Sequence, residues 1–140
     1  IRRLVRELRP PALDQMSLPA ALREYAASAG PLAVTVTSPQ DLPDLEPAVE
    51  VALYRIATEA LTNVVRHSTA TGASVALRAS PASIGLDVRD NGGASDGPWA
   101  AGVGLASMRE RAIELGGTFA AGPDATGGRV RVTIPCGPTR

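Results

Sequence analysis

The amino-acid sequence predicts an α+β fold, a two-layer sandwich in which three helices cover one face of a mixed sheet of about five strands. Two observations support this prediction. First, short segments in which apolar and polar residues alternate, as in half-buried strands, are mostly joined by brief turns. Second, longer segments repeat apolar residues every three to four positions, as amphipathic helices do. Helices and hairpin-linked strands mixed in this order favour helices on one face of a sheet.

The individual elements follow from these patterns and from turn residues. Pro10 and Pro11 end an initial helical segment, Ser17 is a helix cap, and Gly116-Gly117 ends the last helix. The predicted helices cover residues 1–9, 17–28, 47–67 and 104–115. The predicted strands cover residues 32–37, 72–77, 84–88, 118–121 and 129–134. Residues 91–101 contain Gly, Ser and Pro, and we expect a mobile loop there.

Composition narrows the classes of function. The 140 residues carry 14 basic and 14 acidic side chains, which gives no electrostatic basis for direct binding to nucleic acid. One Trp, two Tyr and one Phe leave no platform for stacking bases. No apolar run approaches a membrane span and no signal peptide is present, so we expect a cytoplasmic domain. Cys136 is the single cysteine, which fits a reducing compartment. Because the sequence opens mid-pattern without Met, we expect a fragment of a longer protein.

Three polar residues stand at four-residue intervals in the long predicted helix. Glu59, Asn63 and His67 therefore form one polar stripe on an otherwise apolar helix. A carboxylate, a carboxamide and an imidazole one turn apart can supply a base, a neutral metal ligand and a phosphate contact. The alternative is a solvated helix edge, and a single histidine is often merely exposed.

Two glycine-containing segments follow this stripe. In Asp90-Asn-Gly-Gly, glycines after a strand let the backbone approach a flat ligand while the carboxylate accepts a hydrogen bond from an amine. The alternative is an ordinary Asn-Gly turn. In Gly102-Val-Gly-Leu, a helix starts at glycines, and free N–H groups there bind phosphate. The alternative is a plain loop-to-helix junction, because a lone Gly-x-Gly is weak evidence.

Taken in order, the strings Glu-Ala-Leu-Thr-Asn-Val-Val-Arg-His, Asp-Asn-Gly and Gly-Val-Gly-Leu-Ala-Ser-Met-Arg-Glu-Arg resemble the ATP-binding domain of bacterial sensor histidine kinases. The likeness is to the nitrate-sensor and desaturase-sensor branch of the gyrase/Hsp90/histidine kinase/MutL superfamily, and it covers nearly the whole chain. It implies the Bergerat-type ATP-binding fold. Leu8-Arg-Pro-Pro-Ala-Leu-Asp14 resembles that branch's junction with its dimerisation helices. The implied division is a helix tail and linker at residues 1–16 and the ATP-binding domain at 17–140.

The resemblance implies a role for each polar residue of the helix. Glu59 and His67 are the implied catalytic residues, with Glu59 polarising the nucleophile or a water and His67 near the phosphates. Asn63 is the implied Mg²⁺ ligand, and Arg66 lies near the phosphates of ATP. The implied partners are a histidine-bearing dimerisation domain and a response regulator. The parent protein would be a homodimer and this fragment a monomer.

The resemblance also implies roles for the glycine-containing loops. Asp90 matches the carboxylate that reads the adenine amino group, with Gly92 beside the base. Gly102 and Gly104 match the glycines that meet the phosphates and hinge the lid.

Three departures from the family pattern stand out. Ala94 replaces the second glycine of the first loop, Trp99 lies in a short lid at residues 94–101, and Gly128 replaces a threonine that contacts the adenine pocket. His67 is the one histidine of the chain, so the acceptor histidine of a dimerisation helix is absent from this fragment. We therefore expect that the fragment cannot phosphorylate itself. Two other functions remain open: a stand-alone serine kinase of the anti-sigma-factor type, and a non-catalytic module that has lost nucleotide binding.

Overall fold

The computed structural model describes residues 9–92 and 103–136. Its strands form one five-stranded sheet in the order β1-β2-β3-β5-β4, with β1 and β2 parallel and the other pairs antiparallel. The strands are β1 at Ala33–Thr37, β2 at Gly72–Ser80, β3 at Ser83–Asp90, β4 at Thr118–Pro123 and β5 at Gly128–Pro135. The helices are α1 at Ala12–Gln15, α2 at Leu18–Ala27, α3 at Pro47–His67 and α4 at Val103–Glu114.

The predicted sandwich is confirmed. Strand residues alternate between a face that is buried under the helices and a face that is open, as a half-buried sheet requires. One hydrophobic cluster joins α2, α3 and α4 to the inner face of the sheet. Its sheet side is formed by alternate apolar residues of three strands: Val75, Leu77, Ile84, Leu86, Val88, Val130, Val132 and Ile134.

The long helix α3 links the core to the candidate site. Pro47 occupies its first turn, where a missing N–H costs nothing, and the helix ends at Ser68. Its buried side chains recur at three- to four-residue intervals: Val49, Ala52, Leu53, Ile56, Ala57, Ala60, Leu61 and Val64. This spacing fixes the rotation of the helix, and with it the direction of the polar stripe.

The segment before α2 contains a short helix that the sequence analysis did not predict. α1 has four residues, too few for a periodic apolar pattern, yet Leu13 on it is buried in the core cluster. Arg9 fastens this segment to α3, because its guanidinium donates to Glu50 Oε1 at 2.9 Å and to Asp14 Oδ1 at 3.0 Å. The predicted cap of the next helix is confirmed, since the Ser17 hydroxyl accepts from the Ala20 N–H at 3.3 Å.

Several predictions fall outside the described residues. Residues 1–8 of the helix expected at 1–9 belong to this group, as do Gly102 and most of the loop expected at 91–101, including Ala94 and Trp99. Within the ranges that the structure does describe, no helix has both the length and the apolar character needed to cross a membrane.

Candidate functional site

The polar stripe of α3 lies along the border of its buried face. Glu59 and Asn63 are half-buried, whereas Arg66 and His67 at the end of the helix are exposed. The buried Ile56, Ala60 and Val64 set this orientation. The stripe is therefore accessible at the edge of the domain but held on a rigid element.

The start of α4 lies directly against this stripe. A Cβ atom added to Gly104 would be 2.7 Å from Glu59 Oε2 and 3.4 Å from Asn63 Nδ2, so a larger residue would displace the carboxylate. The first N–H groups of a helix have no partner within the helix and attract anions. A carboxylate, a carboxamide and the beginning of a helix thus meet at one point, which joins two of the predicted motifs.

Asp90 ends β3 and is held by backbone groups. Its Oδ1 atom accepts from the Gly92 N–H at 2.8 Å and from the Gly128 N–H at 3.3 Å. Within the described part of the chain, Oδ2 has no hydrogen-bond partner. The carboxylate is therefore fixed in orientation and can present one acceptor to a ligand.

Gly92 connects this loop to the end of α3. A Cβ atom at Gly92 would collide with Ser68 Oγ and would lie 3.0 Å from Asp90 Oδ1. Ser68 is the residue that caps α3 immediately after His67. The Asp90 loop and the far end of the polar stripe are consequently neighbours, and the close approach explains why this position is glycine.

Asn91 was not among the predicted site residues, yet it fixes the loop. Its Oδ1 atom accepts from the N–H groups of Thr71 at 2.9 Å and of Gly72 at 3.1 Å, and its Nδ2 group donates to Thr71 Oγ1 at 3.2 Å. These bonds join the end of β3 to the start of β2. The preference of asparagine for backbone hydrogen bonds in turns was the available sequence signal.

The hairpin between β4 and β5 closes the other side of Asp90. Gly127 has φ of +156°, and a Cβ atom there would collide with the Asp90 carbonyl oxygen and lie 2.9 Å from Gly92 N. The turn is organised by Asp124, whose Oδ1 atom accepts from the Thr126 N–H at 2.8 Å and the Gly127 N–H at 3.1 Å. The bonds from the Thr126 N–H and hydroxyl lower the pKa of the Asp124 carboxyl.

The described residues contain no cluster of three or more His, Cys, Asp or Glu side chains that could hold a metal ion. Glu59 Oε2 and Asn63 Nδ2 are the atoms nearest a Cβ placed at Gly104, and each of these side chains also carries an oxygen that can bind a metal. Such a pair suits a metal that takes most of its ligands from a phosphate group and water, as Mg²⁺ usually does.

A mixed sheet covered on one face by helices places the chain in the class of two-layer α/β sandwiches. The chain belongs to the histidine kinase-, DNA gyrase B- and HSP90-like ATPase family, whose model matches residues 48–138. The resemblance inferred from the three sequence strings is therefore confirmed.

Individual proteins support the same assignment. The chain is 31% identical over 144 residues to the sensor histidine kinase MctS of Rhizobium johnstonii and 32% identical over 142 residues to the sensor histidine kinase NarS of Mycobacterium tuberculosis. Each alignment covers 96% of this chain but only 31% and 33% of the respective relative, so the chain spans about a third of their length.

Solved structures share the fold. The histidine kinase domain of the blue-light activated histidine kinase EL346 from Erythrobacter litoralis superposes with a TM-score of 0.65 at 24% identity. That superposition covers 85% of this chain and 61% of the other. At this identity the likeness establishes the architecture alone.

Proposed function

We propose that this chain is the ATP-binding catalytic domain of a two-component sensor kinase. It binds Mg²⁺-ATP and donates the γ-phosphate to a histidine on a separate dimerisation domain. The observation that carries the proposal is the contact of Gly104 with Glu59 and Asn63, because it brings a glycine-led helix start and the polar stripe into one site. A helix start recognises phosphate, and the stripe adds a carboxylate and a metal ligand.

Recognition of adenine is assigned to Asp90. Its carboxylate is oriented by the two backbone N–H groups on Oδ1, so Oδ2 is available to accept from the exocyclic amine. Gly92 provides a surface without a side chain beside the base. Gly128 contributes a backbone N–H to Asp90 where the family pattern has threonine, so the hydroxyl of that threonine is not required to orient the carboxylate.

The phosphate side of the site is assigned to α3 and the start of α4. Asn63 is the proposed Mg²⁺ ligand, and Glu59 polarises the attacking nucleophile. Arg66 and His67 are exposed one turn further along α3, where they can reach phosphate oxygens. Mg²⁺ bound here would neutralise phosphate charge, and the protein's own part is to position the reacting groups. Gly102 remains a proposed phosphate contact.

In this proposal the dimerisation domain carries the acceptor histidine and a separate catalytic domain binds ATP. Residues 1–16 are the proposed tail of a dimerisation helix and its linker, and residues 17–140 form the catalytic domain. The acceptor histidine lies on the dimerisation domain, and a response regulator receives the phosphoryl group from it. We propose that the parent protein is a homodimer.

Replacing Asp90 tests nucleotide recognition. Asp90→Asn keeps an oxygen that can accept from Gly92 and Gly128, but it turns the ligand-facing acceptor into an NH₂ donor. We expect ATP affinity to fall by about 1–3 kcal/mol, roughly 5- to 150-fold, since the amine loses its acceptor. Inosine triphosphate carries a carbonyl in place of the amine, so its affinity should fall less or rise.

Calorimetric titration with both nucleotides gives the readout. Asp44→Asn, at an exposed loop position, removes the same charge away from the site and serves as the control. An unchanged preference for ATP over inosine triphosphate in Asp90→Asn would remove the assignment of Asp90 to the base.

Transfer of label from γ-labelled ATP tests the kinase reaction itself. Label should appear on an added dimerisation domain from a sensor kinase and should be acid-labile, as a phosphohistidine is. Acid-labile label on the chain alone that disappears in His67→Ala would contradict the proposed division of labour. Acid-stable label on a serine substrate would instead indicate the anti-sigma-factor type of kinase.

A further inference from the structure

The open face of the sheet carries a cluster of arginines that the ATP site does not use. Alternate residues of β2, β3 and β5 point away from the helices, and four of these positions are Arg78, Arg89, Arg129 and Arg131. We call these four residues the arginine face. Of the described acidic residues, Asp87 lies among them, and Asp124 in the turn between β4 and β5 lies near Arg89 and Arg129.

Asp87 is largely covered by this cluster. Arg129 donates to it through two parallel bonds, Nε to Oδ1 at 3.0 Å and Nη2 to Oδ2 at 2.7 Å, while Arg89 Nε lies 3.7 Å from Oδ2. Burial would raise the pKa of the Asp87 carboxyl, but the hydrogen bond from Arg129 and the charges of Arg129, Arg89 and Arg78 outweigh burial and lower it. The carboxylate is therefore ionised at neutral pH.

The arginine face keeps an excess of positive charge. Four guanidinium groups lie near two described carboxylates, Asp87 and Asp124, although the whole chain has a formal net charge of zero. Arg89 and Arg129 are directly opposite each other on neighbouring strands. Like charges in that position repel each other, and the Asp87 carboxylate, which is bonded to Arg129 and lies 3.7 Å from Arg89, offsets part of that repulsion. An external anion would relieve this repulsion.

The size of the cluster indicates what that anion is. Neighbouring strands are roughly 4.8 Å apart and successive outward residues along a strand roughly 6.7 Å apart, so the guanidinium groups cover an area larger than one carboxylate or phosphate. The described outward positions beside them are short: Thr35, Ser74, Ala76, Gly85, Thr133, Thr118, Ala120 and Gly122. Long cationic side chains surrounded by short ones leave room for an extended protein segment that carries several carboxylates.

Other polyanions fit this surface less well. Single-stranded nucleic acid is held by aromatic side chains that stack on bases, and the outward positions named above include none. Anionic lipid is held best where large apolar side chains enter the bilayer surface, and these positions include none of those either. Arginine forks bind carboxylates and phosphates alike, so the preference for Asp and Glu side chains rests on the lack of stacking and large apolar side chains at these positions.

We propose that the arginine face is a docking surface for an acidic segment of a protein partner, presenting at least two carboxylates on one side. The surface lies on the sheet side opposite the helices that carry the ATP site, so this interaction is independent of the proposed nucleotide binding. Arg78, Arg89 and Arg131 are its exposed members, and within the described residues Arg78 and Arg131 form no ion pair with Asp87, whereas Arg129 is held by it.

Binding of a fluorescent ten-residue peptide with Glu at every second position, followed by anisotropy, tests the proposal with the purified chain. We expect Arg78→Gln combined with Arg131→Gln to weaken binding about tenfold and to leave the melting temperature and ATP affinity unchanged. Arg23→Gln combined with Arg109→Gln removes the same charge from the helical layer and should change peptide affinity less than twofold. The Gln version of the peptide should not bind.

Three results would overturn the proposal. One is equal weakening in both double variants, which would indicate a general effect of net charge. Another is no weakening in either. The third is variant-sensitive binding that is tighter to phosphatidylglycerol vesicles or to a single-stranded oligonucleotide than to the peptide, because the surface would then serve a different class of ligand.

Discussion

Replacing Gly104 by alanine separates the stability of the domain from the function of its site. The added Cβ would stand 2.7 Å from Glu59 Oε2, and the atom it meets is the end of a flexible side chain rather than backbone. The domain can therefore accommodate the methyl group by moving the carboxylate. Alanine also favours a helix over glycine by up to about 1 kcal/mol.

The size of the displacement follows from the geometry. Ordinary contacts of a Cβ atom begin at 3.4 Å, so the Glu59 carboxylate has to retreat by about 0.7 Å, whereas Asn63 Nδ2 is already 3.4 Å from the added Cβ and need not move. A misplacement near 1 Å costs up to about 100-fold in rate. We expect phosphoryl transfer to a dimerisation domain to fall roughly 10- to 100-fold, with a smaller loss of ATP affinity.

The assay combines thermal melting, calorimetry with Mg²⁺-ATP and transfer of γ-label to an added dimerisation domain. Gly85→Ala is the matched control, because its Cβ would meet only ordinary contacts, the nearest being the Val132 carbonyl oxygen at 3.6 Å. The melting temperature of Gly104→Ala should be unchanged or slightly raised. Transfer at the wild-type rate, or loss of the fold, would refute the link between this glycine and the position of Glu59.

Two further predictions concern positions outside the glycine contacts. Asn91→Ala removes three side-chain hydrogen bonds and should lower the free energy of unfolding by about 1–2 kcal/mol while weakening ATP binding. Asn91→Asp keeps the acceptor and should lose less; denaturant unfolding compares the two. Asp87 has a lowered pKa, so its stabilising contribution is present above the unfolded value near pH 4 and is lost as pH falls towards the folded value. Asp87→Asn should therefore be less stable at neutral pH and show a weaker loss of stability in acid.

Each of these two predictions has an outcome that contradicts it. Equal stability of Asn91→Ala and wild type would mean that the strand ends are held together without the side chain. An acid unfolding profile of Asp87→Asn with the same slope as wild type would assign the acid sensitivity to other carboxylates. Measuring the free energy of unfolding at several pH values distinguishes these cases.

The sequence predicts those features that depend on a single element. The direction of Glu59 and Asn63 follows from the apolar period of α3, and the alternation of β3 and β5 identifies the inner face of the sheet. Sequence periodicity determines both because each concerns one helix or one strand.

Features that depend on two distant segments were not predictable from patterns. The role of Asn91 requires the start of β2 to lie beside the end of β3, and the pair of Asp87 with Arg129 requires the register of β3 against β5. The identity of Gly127 is decided by its close approach to the Asp90 backbone, which no local pattern around it indicates. α1 was not predicted because a helix of four residues is too short to show a periodic pattern of apolar residues.

The parallel pairing of β1 with β2 has a consequence for how the chain folds. The chain leaves β1 at Thr37, forms all of α3, and only then returns beside β1 as β2. Closing this long connection costs entropy before the pairing stabilises anything. The match to the ATPase family begins at residue 48, so a chain shortened to 48–138 would lack β1 and also α2, which packs against α3. The segment that reveals the family is therefore smaller than the unit that folds.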